Sequence, residues 1–466
     1  MPTGSVTADP LVVLHDHLDG GVRPATLLDL AARAGIPTPT DDPHELARWL
    51  TLTPDLGLAD AFSRFDLVNA MLQSEGALQR VTREAVEDLA VDGVIHAELR
   101  FAPLLHTRGG LNGAEVLRAV EAGVAEAINE TGIDARLIVC AMRDQPVSVS
   151  TEAVQLAIAA ADGLVVGVDL AGIEPGHPAQ DHAAAFALAH EAGLGVTIHA
   201  GEMDGPHQVA GALDGCMPHR IGHGWRLIDD CETIGGRVAA LGPTAGSVRD
   251  AGLTLEICLT SNDCLGMPVT QHPVRLLRDA GFLVTLQPDD RSITTTTARR
   301  ELGLAADHHG FDRADLAQCC ERAAAAAFLP EGERARLVDE VRSGWDAAPK
   351  SLVHLAERAT WEQHRRMATY VPDDYRRDGF VHLSGLHQLL TPANRFYRGR
   401  SDLVALVVEA DALDRLVWEP GAGTAEYFPH LYGELPVTSV RAAIDMVPSM
   451  DGSFLLPPAL IEAVAG

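Results

Sequence analysis

Between residue 10 and about residue 300 the chain alternates short β-branched or apolar runs with Ala-, Leu-, Glu- and Arg-rich stretches of helical period. That alternation predicts a parallel sheet whose strands are joined by crossover helices. Eight runs stand out: 11–14 (LVVL), 94–101 (VIHAELRF), 136–142 (RLIVCAM), 164–170 (LVVGVDL), 195–199 (GVTIH), 219–222 (HRIG), 254–260 (LTLEICL) and 282–286 (FLVTL). About eight β units over roughly 290 residues is the size of a TIM barrel. The predicted fold class is α/β, a TIM (β/α)8 barrel with a helical insertion at 24–90 after strand 1; an open doubly wound sheet is the alternative. Polar residues favour the barrel, because nearly every run ends in them: His15 and His17, Arg100, Arg143, Gly172, His199 and Glu202, His223, Ser261 and Asn262, Asp289 and Asp290. Barrel active sites lie at that C-terminal face, whereas a strand end in an ordinary core seldom needs a histidine or a carboxylate.

From about 303 to 350 the sequence turns helical, including an alanine run at 323–327, and closes with AAPK, which reads as a linker. Fresh strand signals follow (FVHLS, DLVALVVE, SVRAAIDMV). The division expected is a barrel over 1–350 and a small α+β domain over 351–466.

The 466 residues are 47% hydrophobic and 22% charged, which excludes disorder and fibre. With 65 acidic against 36 basic residues the net charge is -29, and a surface that negative repels phosphate backbones and anionic lipid. Neither a nucleic-acid partner nor a membrane is expected. Lys350 is the only lysine, so no Schiff-base lysine sits in the barrel and no GxxxxGK[ST] phosphate loop exists. The seven cysteines are an odd number and include no CxxC, which supports neither a thiolate zinc site nor a disulfide framework and suits a reducing cytoplasm. Met1 to Pro10 is polar, and no apolar run approaches the ~18 residues of a membrane span, so the expectation is a soluble cytoplasmic protein.

The i, i+2 spacing of His15 and His17 on a strand points both imidazoles to one face, where two nitrogens can share a metal. Taken alone, such a pair is more often two ordinary histidines than a metal site. His199 and Asp289, at the ends of other strands, complete a zinc-type set of three imidazoles and a carboxylate with room for water. Hydrolysis at such a centre also needs a proton donor and a group beside the water, and Glu202 and His223 are the candidates.

LHDHLDGGVRP, HAELRFAP, VGVDLAGIE, TIHAGE, RIGHG, CLTSN and the Asp289-Asp290 pair occur in one order across about 11–302, and together they resemble the adenosine deaminase family. The resemblance implies a zinc-dependent TIM barrel of amidohydrolase type, with one zinc held by His15, His17, His199 and Asp289. It implies that Glu202 protonates purine N1 and that His223 and Asp289 position the attacking water. It further implies that Asp290 meets N7, that the Gly172 N–H meets N3, and that His17 and Asp19 lie against the substrate, Asp19 near the ribose. The activity implied is hydrolytic deamination of adenosine or deoxyadenosine at C6, by hydroxide generated on zinc, with loss of ammonia. The other zinc deaminase design, HxE followed by PCxxC, is excluded: His96-Ala97-Glu98 matches its first half and no PCxxC exists.

Two departures bear on substrate: Ile173-Glu174 follows Gly172 where Asp-Glu is commonest in the family, and Arg291 follows Asp290 where proline is usual. They leave adenine, methylthioadenosine-type and aminofutalosine-type compounds as alternative substrates, a purine-nucleoside sensor as an alternative role, and an amide- or ester-cleaving hydrolase as a third reading. The C-terminal motifs FVHLS, NRFYRGR, VWEP and YFPHLYG resemble a small uncharacterised bacterial domain that has been likened to the ADP-ribosyltransferase fold. That likeness makes His354, His382, Ser384, Arg395, Glu419 and His430 candidates for a polar cleft; a structural appendage is the competing reading.

Overall fold

The computed structural model describes residues 9–346, 350–420, 427–449 and 452–465. The N-terminal stretch before Asp9 and Ala347–Pro349 of the expected linker lie outside the described residues. The chain packs as two units that part within the helix Glu331–Asp346, one of them Leu11–Val341.

Eight parallel strands form the sheet of the first unit: β1 (Leu11–His17), β2 (Val94–Phe101), β3 (Asp134–Met142), β4 (Val165–Ala171), β5 (Gly195–Ala200), β6 (Arg220–His223), β9 (Thr254–Ile257) and β10 (Leu283–Leu286), hydrogen-bonded in that order. The intervening β7 (Cys231–Ile234) and β8 (Arg237–Leu241) make a separate antiparallel hairpin. The sheet curls as a TIM-type barrel, and its first and last strands meet at one bridge: the His17 amide donates to the Asp289 carbonyl (2.9 Å) and the Asp289 amide to the His15 carbonyl (3.0 Å). Below that bridge the Gln287 side chain takes the Leu14 amide at 2.8 Å.

Every apolar run reading as a strand is one, within a few residues. The exception in extent is 254–260, where the strand stops at Ile257 and Leu259–Cys264 is helical. The cause is Glu301, whose carboxylate accepts from the Leu259 amide (2.7 Å) and the Thr260 amide (3.2 Å), satisfying the first turn of that helix. Ser261 and Asn262 therefore sit on a helical turn. The insertion expected at 24–90 is four helices, Pro24–Ala34, Pro43–Leu50, Leu58–Met71 and Glu75–Val91.

Strand alternation sends Glu98 and Arg100 of β2, Asp169 of β4, Arg220 of β6 and Glu256 of β9 into the barrel, where all are buried. Burying charge is tolerable only in pairs. Arg100 lies 2.8 Å from Asp169 and 2.9 Å from Glu256, while Arg220 lies 2.6 Å from Glu256 and 2.6 Å from Glu98. The barrel is thus centred on an ionic lattice, so Glu98 of the HxE triplet serves Arg220.

In the second unit the antiparallel sheet β11 (Ser351–Glu357), β14 (Leu403–Glu409) and β18 (Val440–Met446) has β14 at its centre. Val404, Leu406 and Val408 face one apolar cluster and Leu403, Ala405 and Val407 another, as period-two alternation requires of a sheet covered on both faces. A second sheet, β13 (Val381–His382), β16 (Tyr427–Leu431) and β15 (Leu416–Pro420), joins the first through reciprocal 2.8 Å hydrogen bonds between Val353 and Ser384. β12 (Thr369–Tyr370) and β17 (Leu435–Pro436) pair separately. No helix among the described residues is long and apolar enough to cross a membrane.

Candidate active site

The C-terminal ends of β1 and β5 and the segment after β10 bring four side chains together. Nε2 of His15 lies 3.0 Å and Nε2 of His17 3.4 Å from Oδ1 of Asp289, and Nε2 of His199 lies 3.2 Å from Nε2 of His17. One ligand atom from each of the four falls within 4.8 Å of the others. Carboxylates grip the far nitrogens: Glu256 is 2.9 Å from Nδ1 of His15 and Asp169 2.9 Å from Nδ1 of His199. Each such grip places the proton on Nδ1 and turns the bare Nε2 lone pair inward. The buried Nε2 of His15 indeed makes no hydrogen bond, despite its approach to Asp289. Lone pairs converging on a carboxylate repel one another unless a cation lies among them, so the donor set fits a divalent metal.

The electrostatics fit as well. Burial holds His17 and His223 well below the ordinary histidine value and His199 below it, which keeps them in the neutral, ligating form. Burial and Arg100 lower the His15 imidazole, but Asp289 and Glu256 outweigh them and raise it, so a proton and a cation compete for that nitrogen. Burial pushes the Asp289 carboxyl up, yet His15, His223 and His17 together hold it well below the usual range. Asp289 (φ 62°) and His223 (φ 59°) both occupy the left-handed region, strain of the kind that gathers at functional sites.

His223, at the end of β6, puts Nε2 3.3 Å from Glu202 Oε1 and 3.7 Å from Asp289 Oδ2; its Nδ1 is 3.2 Å from the Asn262 amide nitrogen. Glu202 stands on a loop tied down by Glu174, whose carboxylate accepts from the amides of Gly201, Glu202, Met203 and Asp204 at 2.5–3.1 Å. Burial, then the negative charges of Asp289 and Glu174, raise Glu202 to about 8.

A family model described as "Adenosine deaminase" matches residues 10–344. The chain belongs to the adenosine deaminase family. An adenosine deaminase of Mycobacterium leprae (strain TN) is 39% identical over 341 residues, 71% of this chain and 94% of that protein. An adenine deaminase from Arthrobacter aurescens superposes with a TM-score of 0.66 at 25% identity, covering 73% of this chain and all of the other. The N6-methyl-AMP deaminase from Arabidopsis thaliana does so with a TM-score of 0.62 at 25% identity, over 72% of this chain and 97% of its own. A second model, "Protein of unknown function (DUF952)", matches residues 355–443.

For this adenosine deaminase family member the remaining predicted residues cluster in the same mouth. The buried Oδ1 of Asp290 has no hydrogen-bond partner, and Gly20 is packed so close that a Cβ there would fall 1.8 Å from it. Burial, then Asp289, Asp19 and Glu202, raise Asp290 well above the carboxylate range, so it carries a proton it can donate. Burial also raises Asp19 to about 6. Gly172 follows β4 at φ +95°, a conformation an L side chain rarely adopts.

Three arginines at or beside strand ends have structural partners. Arg291, where the family pattern has proline, puts Nε 3.0 Å from both oxygens of buried Asp16, the residue between the two histidines of β1. Arg100 and Arg143, though at strand ends, are buried braces; Arg143 donates to the carbonyls of Leu170, His177 and His199.

Sequence reasoning missed Asp169 and Glu256 as the carboxylates that hold His199 and His15. The signal was a lone acid inside an apolar run, in LVVGVDL and in LTLEICL, a position that costs too much unless paired.

In the second unit, His354, His382, Ser384, Arg395 and His430 line one cavity of about 640 Å³. Glu419 stands outside it and holds His430 Nδ1 at 2.9 Å. His354 is committed at both nitrogens, to the His382 carbonyl (2.7 Å) and the Tyr370 hydroxyl (3.3 Å). Phe380 stacks on His430 at 4.0 Å.

Proposed function

We propose that the chain deaminates adenosine or deoxyadenosine to inosine or deoxyinosine, adding water at purine C6 and releasing ammonia, with one zinc ion held by His15, His17, His199 and Asp289. The observation that carries this reading is the convergence of those four ligand atoms beside an acid, Glu202, raised to about 8. Bound zinc supplies a Lewis acid that lowers the pKa of a water and sets it on one face of the ring.

The chain's own groups do the rest. Glu202, protonated at neutral pH, gives its proton to N1, which draws electrons from C6. His223, neutral, takes the Asn262 amide at Nδ1 and turns Nε2–H toward Glu202 and Asp289, so that with Asp289 it positions the attacking water. N7 is an acceptor only, and a protonated Asp290 is the donor that suits it. The Gly172 N–H meets N3, and His17 and Asp19 border the sugar. None of the seven cysteines forms a disulfide, which supports a cytoplasmic setting.

The test is ammonia release from adenosine, deoxyadenosine, adenine and methylthioadenosine by purified protein, with and without chelator. Chelator-sensitive turnover of adenosine or deoxyadenosine is expected. Turnover confined to one of the others would reassign the substrate, and tight purine binding without ammonia from any of the four would favour a sensor.

A further inference from the structure

A cavity of about 800 Å³ lies at the opposite end of the barrel from the catalytic residues. It is lined by residues at or beside the N-terminal ends of β4, β5, β6, β9 and β10, namely Val165, Gly195, His219, Thr254 and Leu283, and by the stretch from Arg322 to Arg334. In a chain of net charge -29, no aspartate or glutamate among the described residues lines it, while Arg322 and Arg334 do.

Those arginines differ from Arg100, Arg220 and Arg291, each of which is paired with carboxylates. Arg334 donates to the Leu329 carbonyl (3.1 Å) and makes no ion pair among the described residues. Arg322 has no ion pair there either, and its Nη1 is buried without any hydrogen-bond partner. Both guanidinium groups thus border the cavity with no carboxylate to offset their charge. His219 accepts the Val196 amide at Nδ1 (3.0 Å), which leaves Nε2–H as a further donor.

The apolar wall is fixed in place. The Arg220 guanidinium sits 3.6 Å from the centroid of the Phe328 ring, and the Phe328 amide donates to Glu98 at 2.5 Å. Gly195 makes room for that ring, since a Cβ there would fall 2.2 Å from it. A cavity of this size with a rigid aromatic wall and two guanidinium groups that have no carboxylate partner accommodates a small organic anion better than a bare ion.

We propose that this cavity is a binding site for a small organic phosphate, the phosphate held by Arg322 and Arg334 and the organic part lying against Leu194 and Phe328. The experiment is calorimetric titration of the full-length, zinc-loaded protein with phenyl phosphate, inorganic phosphate and phenol. Saturable one-to-one binding of phenyl phosphate is expected, with inorganic phosphate weaker and phenol inert. Arg322→Gln and Arg334→Gln should each weaken phenyl phosphate by at least about tenfold. Both variants should keep wild-type melting temperature and deaminase turnover, which separates loss of the site from misfolding and from failure of the catalytic reading. No saturable binding of either phosphate, or equal binding by wild type and both variants, overturns the proposal.

Discussion

Glu256 lies 2.9 Å from Nδ1 of His15 at the bottom of the catalytic mouth, and it also takes Arg100 at 2.9 Å and Arg220 at 2.6 Å. Burial raises its carboxyl, but Arg100, Arg220 and His15 overcome that and hold it far below the usual range. It is an anion whose placement fixes the His15 imidazole. Glu256→Gln should weaken zinc binding by about 10- to 100-fold, the usual scale for such outer partners. Competition with a chromogenic chelator measures it, and Asp169→Asn, which acts on His199, should behave alike. Unchanged affinity in both would remove the positioning role.

Glu202→Gln keeps the shape of the proton donor and removes its acidity. Zinc content should stay at the wild-type level while turnover of adenosine falls by ~10²–10⁴-fold. In the wild type, turnover should decline as pH rises through the value near 8 to which burial and the neighbouring carboxylates raise this group. A variant that retains full activity contradicts the assignment.

Asp290 is read as a protonated donor to N7. Asp290→Ala should slow adenosine by about tenfold or more, while Asp290→Asn, which keeps an N–H donor, should lose less. Neither change should matter for 7-deazaadenosine, which has no N7 to receive the bond. An equal loss on both substrates would assign Asp290 to folding.

Arg291→Ala leaves the buried Asp16 charge without its partner, a change of about 3–5 kcal/mol in stability. The melting temperature should fall clearly, whereas KM for adenosine at a temperature where the variant is folded should not move. A large KM effect with intact stability would return Arg291 to the substrate.

Glu301 gives a pH signature. Burial raises its carboxyl from 4.5 to about 7, against hydrogen bonds from Thr260, Thr296 and Leu259 that lower it. The folded state therefore holds a proton that the unfolded chain has already lost, so stability declines as pH rises from about 4.5 to about 7 and levels off above. The term is of the order of 3 kcal/mol. Glu301→Gln cannot titrate, so its melting temperature relative to wild type should improve across that window; a constant difference between pH 5 and pH 8 would contradict the burial argument.

The legible parts of this molecule were those in which one residue's position implies one environment. His15 and His17 share a strand face because side chains alternate, and strands ending in histidine or aspartate meet at one barrel mouth, so the four-ligand cluster followed from spacing and order. Glu256 and Asp169 escaped because their partners come from other strands, and a single acid in an apolar run does not say whom it faces. The hairpin Cys231–Leu241 escaped because, with most of its residues exposed, it carries no period-two apolar signal. The structural partner of Arg291 escaped because Asp16 is 275 positions away in the chain.

The proposed activity depends on one metal ion at the cluster of His15, His17, His199 and Asp289. The most direct test strips the purified protein with chelator and returns zinc in measured fractions, following the ultraviolet change from adenosine to inosine. Activity should be lost on stripping, rise in proportion to bound zinc, and level at one zinc per chain. Undiminished turnover in the stripped protein would contradict the account.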